Sequence, residues 1–333
     1  MHKRHTQRIV SSKLMTGLNL GLSLVLTTSC SKLSGRYGMH EINQKKSNII
    51  NANTARQGNY SRLNTELNEE SIDDKGNTLL HIEVMKGNIK MVNQLIDDGY
   101  NIDLKNKDLY TPLHLAVESH NGNAIKLLKA LIEKNACVNV QNKYGYSPLH
   151  IACKKGDIEK VKILLSSTSI NVNIKDDHGH TPLHSVVGES RYHRAGDPIF
   201  GKYKYKKVVK ILLSDQRIDV NLKNNDGNTP FHITDRSDIL KLLVKHPDFN
   251  TIEKDKDGNT PLHIAVSKGF YRYDLLLQHP GINVNEKNND GNTPLHIAAT
   301  KGALHTYDLL LQHSDFNVNA KNKDGIILHC ILQ

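Results

Sequence analysis

A chain of 333 residues has room for two or three ordinary domains, but 5% aromatic content with no Trp suits a thin core of Leu, Ile, Val and Ala. The formal net charge is +10, of which residues 1–30 carry +4 through Lys3, Arg4, Arg8 and Lys13, and residues 31–70 carry +2 through six bases against four acids. The rest of the chain holds only +4, which argues against a nucleic-acid partner, and four scattered Cys are too few for a disulfide framework or a zinc site.

Residues 2–13 are basic, and the apolar run of 13 residues at 14–26 is followed by Thr27, Thr28, Ser29 and Cys30. This is the three-part layout of a secretory signal peptide and is too short for an ordinary membrane span. A small residue directly before a cysteine resembles a bacterial lipoprotein box, with Thr27 where that box usually has leucine and Leu26 one place further back. The resemblance implies cleavage that leaves Cys30 as a lipidated first residue, tethering the protein to the bacterial cell envelope. Ordinary cleavage, an uncleaved anchor and a non-exported tail remain open. Residues 31–70 read as a polar linker, in which 61–70 form a candidate N-terminal capping helix with Leu63 and Leu67 one turn apart.

From residue 71 onward one phrase recurs. Its fullest copy is Asp290-Gly-Asn-Thr-Pro-Leu-His-Ile-Ala298, and its histidine recurs at His81, His114, His150, His184, His232, His263, His296 and His329. The steps are 33, 36, 34, 48, 31, 33 and 33 residues. Thr293 is placed to cap a helix, Pro294 occupies the first helical position where a missing N–H is harmless, and His296 can reach back to the cap. Asp290-Gly291 supplies a tight turn before it, and Gly302 ends the helix in a left-handed cap. This phrase at this period resembles the ankyrin repeat, a β-turn followed by two antiparallel helices. The resemblance implies an all-α, ankyrin-type solenoid over residues 71–333, with seven repeats and a truncated C-terminal cap carrying His329.

Repeat one has Glu83 where most copies have alanine, as expected of an end repeat with a polar outer face. The second helix of repeat three shows the stripe Ile158, Val161, Leu164, Leu165, and the same apolar pair recurs at Leu95-Ile96, Leu131-Ile132, Leu212-Leu213, Leu242-Leu243, Leu276-Leu277 and Leu310-Leu311. Cys137 and Cys153 read as small core residues. Length variation falls between the two helices of a repeat. The largest case is an insertion within 188–207, rich in Tyr, Lys and Arg and including His193, which reads either as a solvated loop or as a contact for an acidic partner or phosphorylated lipid. Repeat five lacks the glycine after its first helix and is expected to be the least stable joint.

Eight of the 19 histidines sit at the structural period, so a structural cause explains them. No metal-ligand spacing, phosphate-cradling loop, nucleophile elbow or calcium loop stands out, and the reading is a non-enzymatic protein with no cofactor and no metal. The position before each motif Thr or Ser is a hairpin tip: Asn77, Tyr110, Tyr146, His180, Asn228, Asn259 and Asn292. Three successive ring-bearing tips, Tyr110, Tyr146 and His180, are the candidate protein-binding residues, because rings bury much area with few rotors to freeze. The expected function is a monomeric protein–protein interaction scaffold, exported and membrane-tethered through Cys30. Family resemblance makes a host-cell protein a plausible partner. The alternative is a secreted soluble effector.

Overall fold

The computed structural model describes residues 73–189, 198–269, 274–302 and 304–326. The leader, the linker with its 61–70 segment, Cys30, His193, His329 and Cys330 lie outside them.

Among the described residues the helices form seven pairs. They are α1 (Leu79–Lys86) with α2 (Ile89–Asp97), α3 (Pro112–Glu118) with α4 (Ala124–Glu133), α5 (Pro148–Lys155) with α6 (Ile158–Leu165), and α7 (Pro182–Glu189) with α8 (Pro198–Leu213). Then follow α9 (Pro230–Ile233) with α10 (Ser237–Val244), α11 (Pro261–Ser267) with α12 (Asp274–Leu277), and α13 (Pro294–Thr300) with α14 (Leu304–Leu311). Each first helix packs on the first helix of the next pair from α1 to α13, and second helices contact one another likewise from α2 to α12. Most helices are two or three turns long and would not persist alone, so the stack stabilises them.

The motif does what its spelling implies. In every described first helix the cap hydroxyl lies 2.7–2.9 Å from Nδ1 of the histidine three residues on, from Thr78–His81 to Thr293–His296. The cap residue's own N–H donates to that Nδ1 at 3.1–3.3 Å, so histidine takes the part that Glu or Gln plays in an ordinary capping box. The seven histidines are at most 4% exposed. The other end of first helices is closed from the next repeat: Lys155 Nζ donates to Glu118 O (2.8 Å), Lys301 Nζ to Ser267 O (2.7 Å), and Lys268 Nζ to His232 O and Thr234 O (both 3.1 Å). A cation at a helix C-terminus also opposes the negative end of the helix dipole. In repeat five, where α9 has only four residues, Lys268 takes over part of the closure a longer helix would supply.

Several expectations need correction. Residues 198–207 of the insertion are helical, forming the first half of α8, and so they are neither a loop nor a link between helices. Tyr205 is buried and donates its hydroxyl to Lys154 O at 3.1 Å, and Lys204 lies against Gly156, so this half-helix docks on repeat three. The apolar pair is not uniformly core: Leu95, Leu131, Leu164, Leu212, Leu276 and Leu310 are buried, whereas their second members are half-buried or, at Leu311, exposed. In repeat five Leu243 and Val244 are buried and Leu242 is not, so the true pair lies one residue later.

Glu83 does not face outward. It is 5% exposed and held by Lys86 Nζ (2.7 Å) and Asn88 Nδ2 (2.8 Å), partners that offset the cost of burying its charge. Cys153 is a buried free thiol, its pKa raised by burial, whereas Cys137 is half-buried and disulfide-bonded rather than a core thiol.

Candidate protein-interaction surface

Each hairpin is built on an Asx residue four positions before the tip. Asn106 Oδ1 accepts from the N–H of Tyr110 (2.9 Å), Asn142 Oδ1 from Tyr146 (3.0 Å) and Asp176 Oδ1 from His180 (2.8 Å), and the same bond recurs at the asparagine tips. The tip carbonyl then accepts twice: from the main-chain N–H of its own Asx residue, and from histidine Nε2 of the preceding repeat. The second link joins His81 to Tyr110 O (2.9 Å), His114 to Tyr146 O (3.1 Å) and His150 to His180 O (2.9 Å). Neighbouring hairpins are also joined directly, as in Lys107 N to Lys75 O and Lys143 N to Asp108 O, both 3.0 Å. The backbone of the tip row is therefore fixed before any side chain is chosen.

At three of the four asparagine tips the side chain belongs to this frame. Asn77, Asn259 and Asn292 each accept through Oδ1 from the Asx amide of the next hairpin, Asn106 (2.8 Å), Asn288 (2.9 Å) and Asn322 (2.9 Å). Tyr110 offers no side-chain amide to that ladder, and Tyr146 is followed by Asp176, which has no amide to donate. The consequence is visible at Asn142, which follows a tyrosine tip: its Nδ2 is buried without a hydrogen-bond partner, the Tyr110 hydroxyl being near but outside bonding geometry. A buried donor left unmade costs roughly 1–3 kcal/mol.

The three rings are half-buried and lie along the first helices of their own repeats. Tyr110 sits 5.3 Å from the His114 ring and donates its hydroxyl to Glu118 Oε1 at 3.2 Å. Burial, reinforced by the Glu118 charge, pushes its pKa up to about 12, so it remains a neutral donor. Tyr146 sits 6.0 Å from His150, with Lys154 Nζ 4.5 Å over its ring and 3.2 Å from its hydroxyl. His180 stacks on His184 at 5.5 Å, and burial holds its pKa below the usual value despite Asp176 nearby. All three are thus pre-organised and half-buried.

Two tip residues had no place in the sequence reading. Tyr144 is 51% exposed, lies 6.0 Å from the Tyr146 ring, and stands where Asp226, Asp257, Asp290 and Asp324 stand in later hairpins. Leu109 is 42% exposed at φ +59°, in the place held by glycine in every other described hairpin, from Gly76 to Gly325. Aligning the hairpins on their Asx residue, rather than the helices on their histidine, would have singled out both. Among the described residues no group of three His, Cys, Asp or Glu is arranged to hold a metal ion, and no helix is long and apolar enough to cross a membrane.

Segments 49–142, 120–193, 200–288 and 236–322 match the family model for ankyrin repeats in three copies. This chain is an ankyrin-repeat protein. It is 31% identical over 124 residues to alpha-latrotoxin-Lhe1a of Latrodectus hesperus, a match covering 37% of this chain and 6% of the toxin. It is 28% identical over 112 residues to the human transient receptor potential cation channel subfamily A member 1, covering 34% of this chain and 7% of the channel. A third relative, the Notch-regulated ankyrin repeat-containing protein of Xenopus tropicalis, is 36% identical over 69 residues, which is 18% of this chain and 60% of that protein. The matches therefore span a small fraction of the larger relatives and just under two thirds of the third. The ankyrin repeat of this chain is a protein–protein interaction scaffold.

Proposed function

We propose that this ankyrin-repeat protein is a non-enzymatic scaffold that holds a protein partner on the hairpin tips of repeats two to four, through Tyr110, Tyr146 and His180. The observation that carries the reading is the interrupted amide ladder. Asn77, Asn259 and Asn292 each contribute a hydrogen bond to the next hairpin, whereas Tyr110 forgoes it and leaves Asn142 Nδ2 unpaired. Residues that weaken the frame while presenting anchored, half-open rings have the character of binding anchors. The test is partner capture by the full chain against a chain with Tyr110→Ala, Tyr146→Ala and His180→Ala combined. Specific partners are expected to be lost at least tenfold while the fold persists. Recovery of the same proteins in the same amounts by both baits would sink the proposal.

The leader supports export, with Cys30 as a lipid attachment site that tethers the solenoid to a bacterial envelope by its polar linker. Intact mass of the N-terminus from the producing cell checks this. A diacylated Cys30 at the N-terminus is expected. A free N-terminus beyond Cys30 would instead make the protein a secreted effector acting on a host protein.

A further inference from the structure

Leu109 and Tyr144 belong together. The main-chain hydrogen bond from Lys143 N to Asp108 O ties hairpins two and three, and Leu109 and Tyr144 are the residues that directly follow its acceptor and its donor. Leu109 holds a left-handed backbone conformation, φ +59°, that disfavours any residue with a Cβ and most of all a large aliphatic one. Glycine fills that place in all the other described hairpins, so the fold itself gains nothing from leucine there. Its side chain is not used internally to any great extent either, being 42% exposed. Tyr144 is still more open, at 51%, and stands where the last four described hairpins carry an aspartate. Strain kept in the backbone to present an apolar side chain to solvent points to something that covers it.

The surrounding charge says what kind of covering fits. Hairpins two and three carry Lys105, Lys107 and Lys143 against Asp108 alone. Lys143 pairs with Asp108 and also stands 5.0 Å over the Tyr144 ring. Lys105 and Lys107 direct their ammonium groups to main-chain carbonyls of Gln141 and Asp74, and among the described residues no carboxylate pairs with either. The three later hairpins that begin at Lys223, Lys254 and Lys287 are each charge-balanced through residue Asn228, Asn259 and Asn292. The apolar patch thus has a basic rim that its counterparts lack.

We propose that Leu109 and Tyr144 form the specificity-determining apolar patch of this surface, and that the segment it recognises is an acidic peptide in which an aliphatic or aromatic residue is flanked by carboxylates. The apolar residue packs between Leu109 and Tyr144 while the carboxylates meet Lys105 and Lys107. The inference rests on the tip-row reading above and adds to it the residues and the chemistry of the partner. Side chains of like charge or without an apolar anchor are excluded by the same surface.

The probe is a random dodecapeptide library displayed on phage and panned against the full chain. Enriched sequences are expected to combine a Leu, Ile, Phe, Tyr or Trp with two or more Asp or Glu within a few positions. A synthetic peptide of the enriched type should bind Leu109→Gly/Tyr144→Asp at least tenfold more weakly. It should bind less tightly as salt is raised. Leu109→Gly alone should unfold at an equal or higher temperature than the native chain, which shows that lost binding is not lost folding. The proposal is overturned if no acidic family is enriched or if the peptide binds the double variant as well as the native chain. Loss of binding on changing Tyr110, Tyr146 and His180 but not on changing Leu109 and Tyr144 overturns this inference while sparing the tip-row reading. Indifference to both sets of changes overturns both.

Discussion

Moving the protein from pH 7 to pH 5 is expected to cost it several kcal/mol of stability, before most carboxylates are protonated. Each of the seven described motif histidines has both ring nitrogens committed. Nδ1 accepts the cap residue's N–H, and Nε2 donates to a carbonyl of the next repeat at 2.9–3.2 Å. Only the neutral Nε2–H tautomer fits, because a second proton on Nδ1 would confront the N–H of the cap. Burial lowers the pKa of all seven, to about 4 for His114 and to about 3 for His184.

In the unfolded chain these rings titrate near 6.5, so between that value and the folded one the unfolded state binds more protons. The stability they contribute is therefore complete above about pH 6.5 and is lost as pH falls toward the folded values. His114 and His184 together lose about 4 kcal/mol by pH 5, taking about 1.4 kcal/mol per pH unit for each, and the other five add to this. A domain holds only about 5–15 kcal/mol in all. Urea midpoints at pH 7, 6 and 5, followed by far-ultraviolet circular dichroism, check the expectation. A midpoint that stays level down to pH 5 would contradict the ring assignments.

Replacing Gly145 by alanine is expected to destabilise the protein by about 3 kcal/mol or more, against about 1 kcal/mol for the same change at Gly99. Both glycines have positive φ, +74° and +88°, so both variants bear the left-handed strain of an L-residue. They differ in what a Cβ would meet. At Gly99 there is nothing within 4 Å, whereas at Gly145 the added carbon would fall 2.5 Å from Asp177 N and 2.9 Å from Asp176 C in the next hairpin. Those are backbone atoms that cannot turn away, so the variant must open the contact between repeats three and four. Urea denaturation of the two variants side by side gives the answer, and equal losses would show that hairpin contact between repeats carries little of the stability. Leu109 illustrates the same point from the other side, since one hairpin tolerates a side chain there at the cost of a strained backbone.

The parts of the candidate surface that were legible beforehand are those governed by residues close in sequence. Thr293 caps the helix that Pro294 begins because the bond spans only three residues, and the tip residues are fixed by their place just before the cap. Exposure was not legible. Tyr110 and Tyr146 are both tip tyrosines, yet their hydroxyls are engaged by Glu118 and Lys154 a full helix away, while Tyr144, two residues earlier and passed over, stands open. Whether a ring is covered depends on the last turn of the first helix, and no local pattern reports where that turn ends.

The same limit applies to the insertion. Its Tyr and Lys residues suggested a solvated loop, but Tyr205 finds the carbonyl of Lys154, some fifty residues earlier, and the segment joins α8 instead. In repeat five the sequence pair Leu242-Leu243 was set one residue early: Leu243 and Val244 are the buried pair, and counting back from His263 would have found them.

Sequence alone determined the period, the caps and the family of this protein, since each repeat writes its turn and first helix in consecutive residues whose bonds close within one turn. Tertiary structure alone decided which tips are open, which histidine tautomer is held and where Asn142 is left unpaired. Those outcomes rest on atoms supplied from the adjacent repeat, about thirty residues away, and burial is a property of the stack rather than of any segment in it.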